Sequence, residues 1–233
     1  MVERIRKSRL CGTVTVATTT ESADDDVEKL CMNEAISCFR GHPTDLLDRH
    51  YQLAKKIGAD LVLKIPSDCP LIDPAIIDKG IQYFLSEDSK YDYVSNLHPA
   101  SYPDGNDVEI MSFQSLETAW KLAQRDLERE HTTPYIWENP GQFRIGNFAW
   151  ESGKDYSMSH RWTIDYPEDY TFIEKIFAEL YPSNPNFGLS DILHLLAERP
   201  DIFEINSKYA GVNWYRNHLN ELKTIKPEQT KHL

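Results

Sequence analysis

No stretch of this 233-residue chain strings together the ~20 apolar residues that cross a bilayer. Cysteine is scarce and scattered: Cys11, Cys31, Cys38 and Cys69 form no C-x-x-C pair, which argues against a zinc knuckle or a redox couple. They read as free thiols in a reducing compartment. Residues Met1 to Lys7 contain no apolar signal core, so the chain reads as cytoplasmic. Excess positive charge is also missing. The net charge is −12, from 25 Lys and Arg against 37 Asp and Glu. Sequence-independent nucleic-acid binding needs a cationic surface and is not expected. The chain lacks G-x-x-x-x-G-K-S/T, G-x-G-x-x-G, G-x-S-x-G and H-E-x-x-H. That argues against a P-loop nucleotidase, a dinucleotide dehydrogenase, a serine hydrolase and a zincin. The histidines show no metal-ligand spacing.

What is present is an alternation. Thr13 to Thr20 is rich in β-branched residues and predicts a strand. Acids from Ser22 to Asp26 suit the first turn of a helix that continues through Val27, Leu30, Cys31 and Ala35. Ile36 to Phe39 predicts a short strand. Thr44 is a candidate cap for a helix with Leu47, Tyr51, Ala54 and Ile57 on its apolar face, ended by Gly58. Leu61 to Ile65 is a strand stopped by Pro66. Asp73 and Pro74 then open another helix. Strand after helix after strand is the pattern of a parallel sheet covered on both faces. Later, Tyr91–Ser95, Val108–Phe113, Phe143–Phe148 and Arg161–Ile164 read as strands. Leu116 to Ala123 marks a helix, and Thr132-Thr133-Pro134 caps a short one. Pro167 opens a helix, and Ser190 caps the last. Residues 1–210 read as one domain, and 211–233 as a polar tail lying over the surface.

The chemistry concentrates where strands stop. Asp68 follows the apolar strand 61–65 and precedes a helix start, the edge at which open α/β sheets bind ligands. Asp165 ends Thr163-Ile164-Asp165 before Pro167 in the same way. Two such carboxylates on neighbouring strand ends can share one Mg²⁺ and leave positions open for phosphate oxygens. The alternative is that Asp165 only caps the helix begun by Pro167. Asp24-Asp25-Asp26 offers a D-x-D pattern, but its place at a helix start reads as a solvated, dipole-favoured cluster. Phosphate binding also needs cations. Arg40 follows a short strand, Asp48-Arg49 lies within a helix, and Arg161 precedes the second acid. A surface ion pair is the default for each.

Eight motifs then occur in order: V-A-T-T-T (16–20), F-R-G (39–41), D-L-L-D-R-H-Y-Q-L-A (45–54), A-D-L-V-L-K-I-P-S-D-C-P-L-I-D-P (59–74), Y-V-S-N (93–96), Y-P-D-G-N-D-V-E (102–109), E-R-E-H-T-T-P-Y (128–135) and T-I-D-Y-P-E-D-Y (163–170). Together they resemble the cytidylyltransferase family of the spore-coat polysaccharide type, relatives of the CMP-KDO and CMP-acylneuraminate synthetases. The resemblance implies a Rossmann-like three-layer α/β sandwich of the nucleotide-diphospho-sugar transferase kind, with a mainly parallel sheet. It implies transfer of CMP from CTP to a sugar, of sugar-acid type, with release of pyrophosphate and help from Mg²⁺. Asp68 and Asp165 match the family's metal-binding acids. Thr18, Arg40, Asp48 and Arg49 fall among the nucleotide-binding segments. Tyr102, Asp107, Glu109, Glu130, His131 and Arg161 fall where the acceptor sugar sits. Relatives commonly dimerise, so a homodimer is implied. Family members open with a strand and a loop similar to A-R-x-G-S-x-R-L-P-x-K. Here that first strand is missing, which implies either a chain that starts after it or an inactive member. Full cytidylyltransferase activity is accordingly not expected. Two other readings stay open: a glycosyltransferase using a nucleotide sugar, and a non-catalytic binding subunit.

Overall fold

The computed structural model describes residues 1–86 and 90–232. The elements in chain order are α1 (Val2–Ile5), β1 (Thr15–Thr19), α2 (Asp25–Asn33), β2 (Ser37–Gly41), α3 (Leu46–Ile57), β3 (Leu61–Lys64), α4 (Pro74–Leu85), β4 (Tyr93–Ser95), β5 (Glu109–Ser112), α5 (Phe113–Leu122), α6 (Asp126–His131), α7 (Pro134–Trp137), β6 (Ile145–Asn147), α8 (Pro167–Leu180), α9 (Leu189–Glu198) and α10 (Pro200–Phe203).

The local signals explain most of these. Gly58 ends α3 in the left-handed conformation at φ 65°, and Asp73 accepts from Ala75 N to cap α4 behind Pro74. Other caps differ from expectation. Asp45, not Thr44, caps α3 by accepting from Asp48 N. Helix α9 starts at Gly188, whose N–H donates to Asp191 at 2.7 Å, so Ser190 is not its cap. The polar run before Pro134 is a helix, α6. Its start is fixed by Glu128, which accepts from Gln124 N and Arg125 N, each at 3.0 Å. Arg161–Ile164 is not a strand. Among the described residues it makes one isolated parallel bridge, Arg161 to Asp104.

The strands form two sheets. Strands β1 and β2 pair in parallel, and the second sheet runs β3-β5-β4-β6. Strands β4 and β6 are parallel, while β5 runs antiparallel to both its neighbours. Side-chain alternation along the second sheet separates two cores. Tyr93 and Met111 join Leu47, Tyr51, Leu116 and Trp137 of the α3–α5 side. Val94 and Ile110 join Ile72, Ile76, Ile77 and Phe148 of the α4 side. Helices thus cover both faces of the sheet, the three-layer arrangement the alternation predicts. A third core, with Trp162, Phe172, Ile176, Phe187 and Ile192, packs α8, α9 and α10 together.

The segment read as a surface tail is part of this packing. Leu222 and Ile225 are 5% and 7% exposed within the first core. Glu138 anchors the approach to them by accepting from Lys223 N and Thr224 N at 2.7 and 2.9 Å. Spaced apolar residues in a polar stretch give little periodic signal, which is why they were missed. Leu233 lies outside the described residues. The four cysteines are free, with Cys31 and Cys69 buried. No helix among the described residues is long and apolar enough to cross a membrane.

Candidate active site

Three loops converge at the ends of the strands. The first is the loop after β3, carrying Asp68. Its carbonyl accepts from Ile164 N at 3.0 Å and from Thr163 Oγ1 at 3.2 Å. That stitches residue 68 to the segment holding Asp165, 97 positions later in the 233-residue chain. The second is the loop 102–108 before β5. Asp104 N donates to His160 O at 2.9 Å, and Trp162 N donates to Asp104 O at 2.7 Å. Gly105 sits at φ +100°, and a Cβ there would meet the Trp162 carbonyl carbon at 2.6 Å. Glycine is therefore required for this loop to lie against the third segment, 160–165.

The loops wall a cleft of about 1600 Å³ that Asp68, Asp104, Asp107, Glu109, Glu130, His131, Arg49, Tyr102, Arg161 and Asp165 all line. Strands β1 and β3 also border it, and neither is hydrogen-bonded to the other.

The acids of the cleft fall into two kinds. Glu109 is 3% exposed and fully served: Lys64 Nζ lies 2.5 Å from Oε1, Tyr93 donates its hydroxyl to Oε2 at 2.6 Å, and Thr133 donates to that same Oε2. Burial alone would raise its pKa, but Lys64 and these donors hold it low. Thr132, a β-branched residue at φ 73°, turns the chain between α6 and α7 just before Thr133 reaches Glu109. Asp68, Asp104 and Asp107 lack such service. Burial raises the Asp68 carboxyl, and the Asp165 charge adds to the rise. Asp107 is pushed up to about 7, first by burial and then by the charges of Asp68 and Glu109. Asp104 is pushed well above the carboxylate range by burial and by Asp107. Arg161 partly offsets this, with Nη1 3.6 Å from Asp104.

Arg161 is itself buried and bound mainly to Asp169, which is 0% exposed. Asp169 accepts from Asp165 N and Tyr166 N at 3.0 Å each and from Asn206 Nδ2 at 2.8 Å. It is therefore Asp169 that caps α8. The capping alternative for Asp165 fails: its side chain meets Arg161 and remains 54% exposed at the cleft.

Not every predicted residue reaches the cleft. Thr18 donates to Asp24 at 2.8 Å. Arg40 is held by Asp25, Glu28 and the carbonyls of Thr19 and Glu21. Asp48 accepts from Trp120 Nε1 and Gln52 Nε2. None of the three lines the cleft, because local partners already occupy their polar atoms. Arg49 does line it, donating to the carbonyls of His42 and Pro43 rather than pairing with Asp48. Asp24 of the acidic triplet accepts from Thr18 and Thr19, which hold its carboxyl down at about 2.

The donor set at Asp68 and Asp165 is all oxygen. Among the described residues no three His, Cys, Asp or Glu side chains close on a common ligand position. Two carboxylates fit a hard cation such as Mg²⁺, which commonly takes one or two carboxylates and completes its shell with phosphate and water. Sequence reasoning missed Asp104, Asp169 and the aromatic residues Trp137, Trp214 and Tyr215. Asp104 was readable as a second acid inside the 102–109 motif; the aromatics carried no local signal.

Comparison with known proteins gives a consistent picture. Residues 1–208 match the family described as Cytidylyltransferase. The chain is 34% identical over 210 residues to an uncharacterized protein of Methanocaldococcus jannaschii, covering 89% of this chain and 82% of that one. It is 27% identical over 206 residues to the spore coat polysaccharide biosynthesis protein SpsF of Bacillus subtilis, covering 86% and 83%. A cytidylyltransferase structure from Leptospira borgpetersenii superposes with a TM-score of 0.81 at 30% identity, over 88% of this chain and 84% of that one. The fold is shared also with CMP:2-keto-3-deoxy-manno-octonic acid synthetase solved with CTP. There the TM-score is 0.55 at 14% identity, covering 76% and 85%.

Proposed function

Because this protein is a member of the cytidylyltransferase family, we propose that it transfers CMP from CTP to a hydroxyl of a sugar, of sugar-acid type, and releases pyrophosphate. The product would serve synthesis of a surface or spore-coat polysaccharide, in keeping with the role named for the Bacillus subtilis relative. The observation that carries this reading is the stitching of the Asp68 loop to Thr163–Ile164, which sets two carboxylates from distant segments in one cleft.

In this reading Asp68 and Asp165 hold Mg²⁺, which when bound spreads the negative charge of the triphosphate. Arg161 sets the position of Asp165, and Asp169 in turn fixes Arg161. The sugar hydroxyl attacks the α-phosphorus, the bond to the β-phosphate oxygen breaks, and pyrophosphate leaves. The attacking hydroxyl must shed its proton. Asp107, a cleft carboxyl raised chiefly by burial, is the group assigned to accept it. Lys64 is tied to Glu109 and neutralises that one acid of the cleft.

Calorimetry with CTP and Mg²⁺, alongside pyrophosphate release with a panel of sugars, tests the reading. Metal-dependent CTP binding that is lost in Asp68→Asn and Asp165→Asn is expected. Binding of a UDP- or GDP-sugar in place of CTP would instead make the protein a glycosyltransferase. Binding of no nucleotide would leave a scaffold.

A further inference from the structure

One wall of the cleft is aromatic and takes no part in the steps above. Trp137, Trp214, Tyr215, His98 and His131 all line the cavity and touch one another in sequence. The His98 ring lies 4.4 Å from Trp137 and 6.2 Å from Tyr215, centroid to centroid. Trp214 stacks on His131 at 3.7 Å and meets Tyr215 at 4.6 Å. Three chain segments build the wall: the loop after β4, the α6–α7 region, and a turn near the carboxyl end carrying Trp214 and Tyr215.

Two polar groups in this wall are unused. His98 Nδ1 is buried with no hydrogen-bond partner among the described residues. A buried nitrogen left unpaired costs about 1–3 kcal/mol, and native proteins seldom carry that cost without a ligand or water to meet it. The Tyr215 side chain is half-buried, and its hydroxyl makes no hydrogen bond with any described residue while neighbouring Tyr93 is bound to Glu109.

We propose that this chamber seats the pyranose ring of the acceptor sugar, with the ring's C–H face against Trp214 and Trp137 and its hydroxyls bonded to His98 and Tyr215. The inference rests on the nucleotidyltransfer reading and adds to it the residues that select the acceptor. Ring geometry favours a sugar over the cytosine base. A planar base wants parallel faces, but the chamber's rings stand tilted, at 33° for His98–Trp137, 51° for Trp137–Trp214 and 62° for Trp214–Tyr215. The one parallel pair, His131–Trp214, is already closed on itself at 3.7 Å. A puckered ring with hydroxyls at its rim fits such a corner. The charges facing His98 are Glu109, Glu138 and Lys64. Lys64 is paired with Glu109, and Glu138 accepts from Lys223 N and Thr224 N. Burial keeps both His98 and His131 uncharged, at about 4. The chamber therefore meets the hydroxylated body of the ring, and a carboxylate on the acceptor would lie outside it.

The test titrates glucose, N-acetylglucosamine, N-acetylneuraminate and cytidine into the full chain with CTP and Mg²⁺, reading tryptophan fluorescence. At least one pyranose should give a saturable change. Trp214→Ala should weaken it on the order of tenfold, as loss of one stacked ring implies. Tyr215→Phe, which keeps the ring and its packing, should weaken it several-fold with circular dichroism and CTP affinity unchanged. Saturable binding by no pyranose, undiminished binding in both variants, or loss of cytidine rather than pyranose binding would each overturn the assignment. If CTP fails to bind yet pyranose binding is lost with Tyr215→Phe, the nucleotidyltransfer reading falls and the chamber stands. If CTP binds and both variants are indifferent, the reverse holds.

Discussion

Asp169, buried in α8, and Asp107, lining the cleft, are both aspartates, and the fold treats them in opposite ways. Asp169 is fully enclosed and receives a guanidinium, an amide and two backbone N–H groups. Burial works against its ionised form, yet Arg161 and these donors hold the carboxyl below its usual range. Asp107 is half-buried at the cleft with acids for neighbours, and its carboxyl rises to about 7. A carboxylate that the fold has fully satisfied is structure: it caps α8 and locks Arg161. A carboxylate partly buried among other acids with few donors is expensive to keep, and such positions concentrate where a cation or a proton is to be handled.

The sharpest way to break the contrast is to remove one acid of each kind. Asp68→Asn and Asp165→Asn should cut pyrophosphate release on the order of 1000-fold, about 4 kcal/mol of charge stabilisation, with little change in melting temperature. Asp169→Asn should do the opposite in kind. It leaves the buried Arg161 short of its partner, costs about 3–5 kcal/mol, and lowers the thermal midpoint by about 10 °C. A stable Asp169→Asn protein, or an unfolded Asp68→Asn one, would erase the distinction.

Asp107→Asn sharpens it through pH. The folded carboxyl at about 7 stands above its unfolded value near 3.8. The folded state therefore holds a proton that the unfolded state releases, and stability falls as pH rises between those values. Replacing Asp107 should stabilise the protein at pH 8 by on the order of 2 kcal/mol and have no effect near pH 3. Asp107→Asn should also cut pyrophosphate release while leaving metal-dependent CTP binding in place, and unchanged turnover in that variant would remove Asp107 as the proton acceptor.

The smallest effect per residue belongs to the histidines. His50, His98 and His131 are each lowered to about 4 by burial. The unfolded chain binds protons below pH 6.5 that the folded chain refuses, so stability is lost as pH falls from 6.5 towards 4. The unfolding free energy from denaturant titration should decline across that window by on the order of 1 kcal/mol per histidine. His98→Gln should flatten the decline.

Legibility in the sequence followed the range of the interaction. The alternation of β1, α2, β2, α3, β3 and α4 was readable because its signals lie within a few residues: β-branched runs, apolar spacing along α3, Gly58, and Asp73 before Pro74. Neighbouring caps were less secure, since Thr44 and Asp45 are equally suited by type and only backbone geometry selects Asp45. The Arg161–Ile164 segment looked like a strand for its residue content. It makes none because its polar groups go to Asp104, Asp68 and Asp169 instead of to a ladder.

The sequence by itself determined most of the element types, the acidic balance, and the two motifs in which Asp68 and Asp165 stand. Periods of two and 3.6 residues and cap chemistry are written in neighbouring positions, so no tertiary information is needed to read them. Only the tertiary structure decided which carboxylates share a cleft, that Asp169 rather than Asp165 caps α8, and that Trp214 and Tyr215 close the wall beside His98. Those outcomes depend on burial and on partners far away along the chain, and the free energy of a carboxylate or a ring is set by what the completed fold places around it.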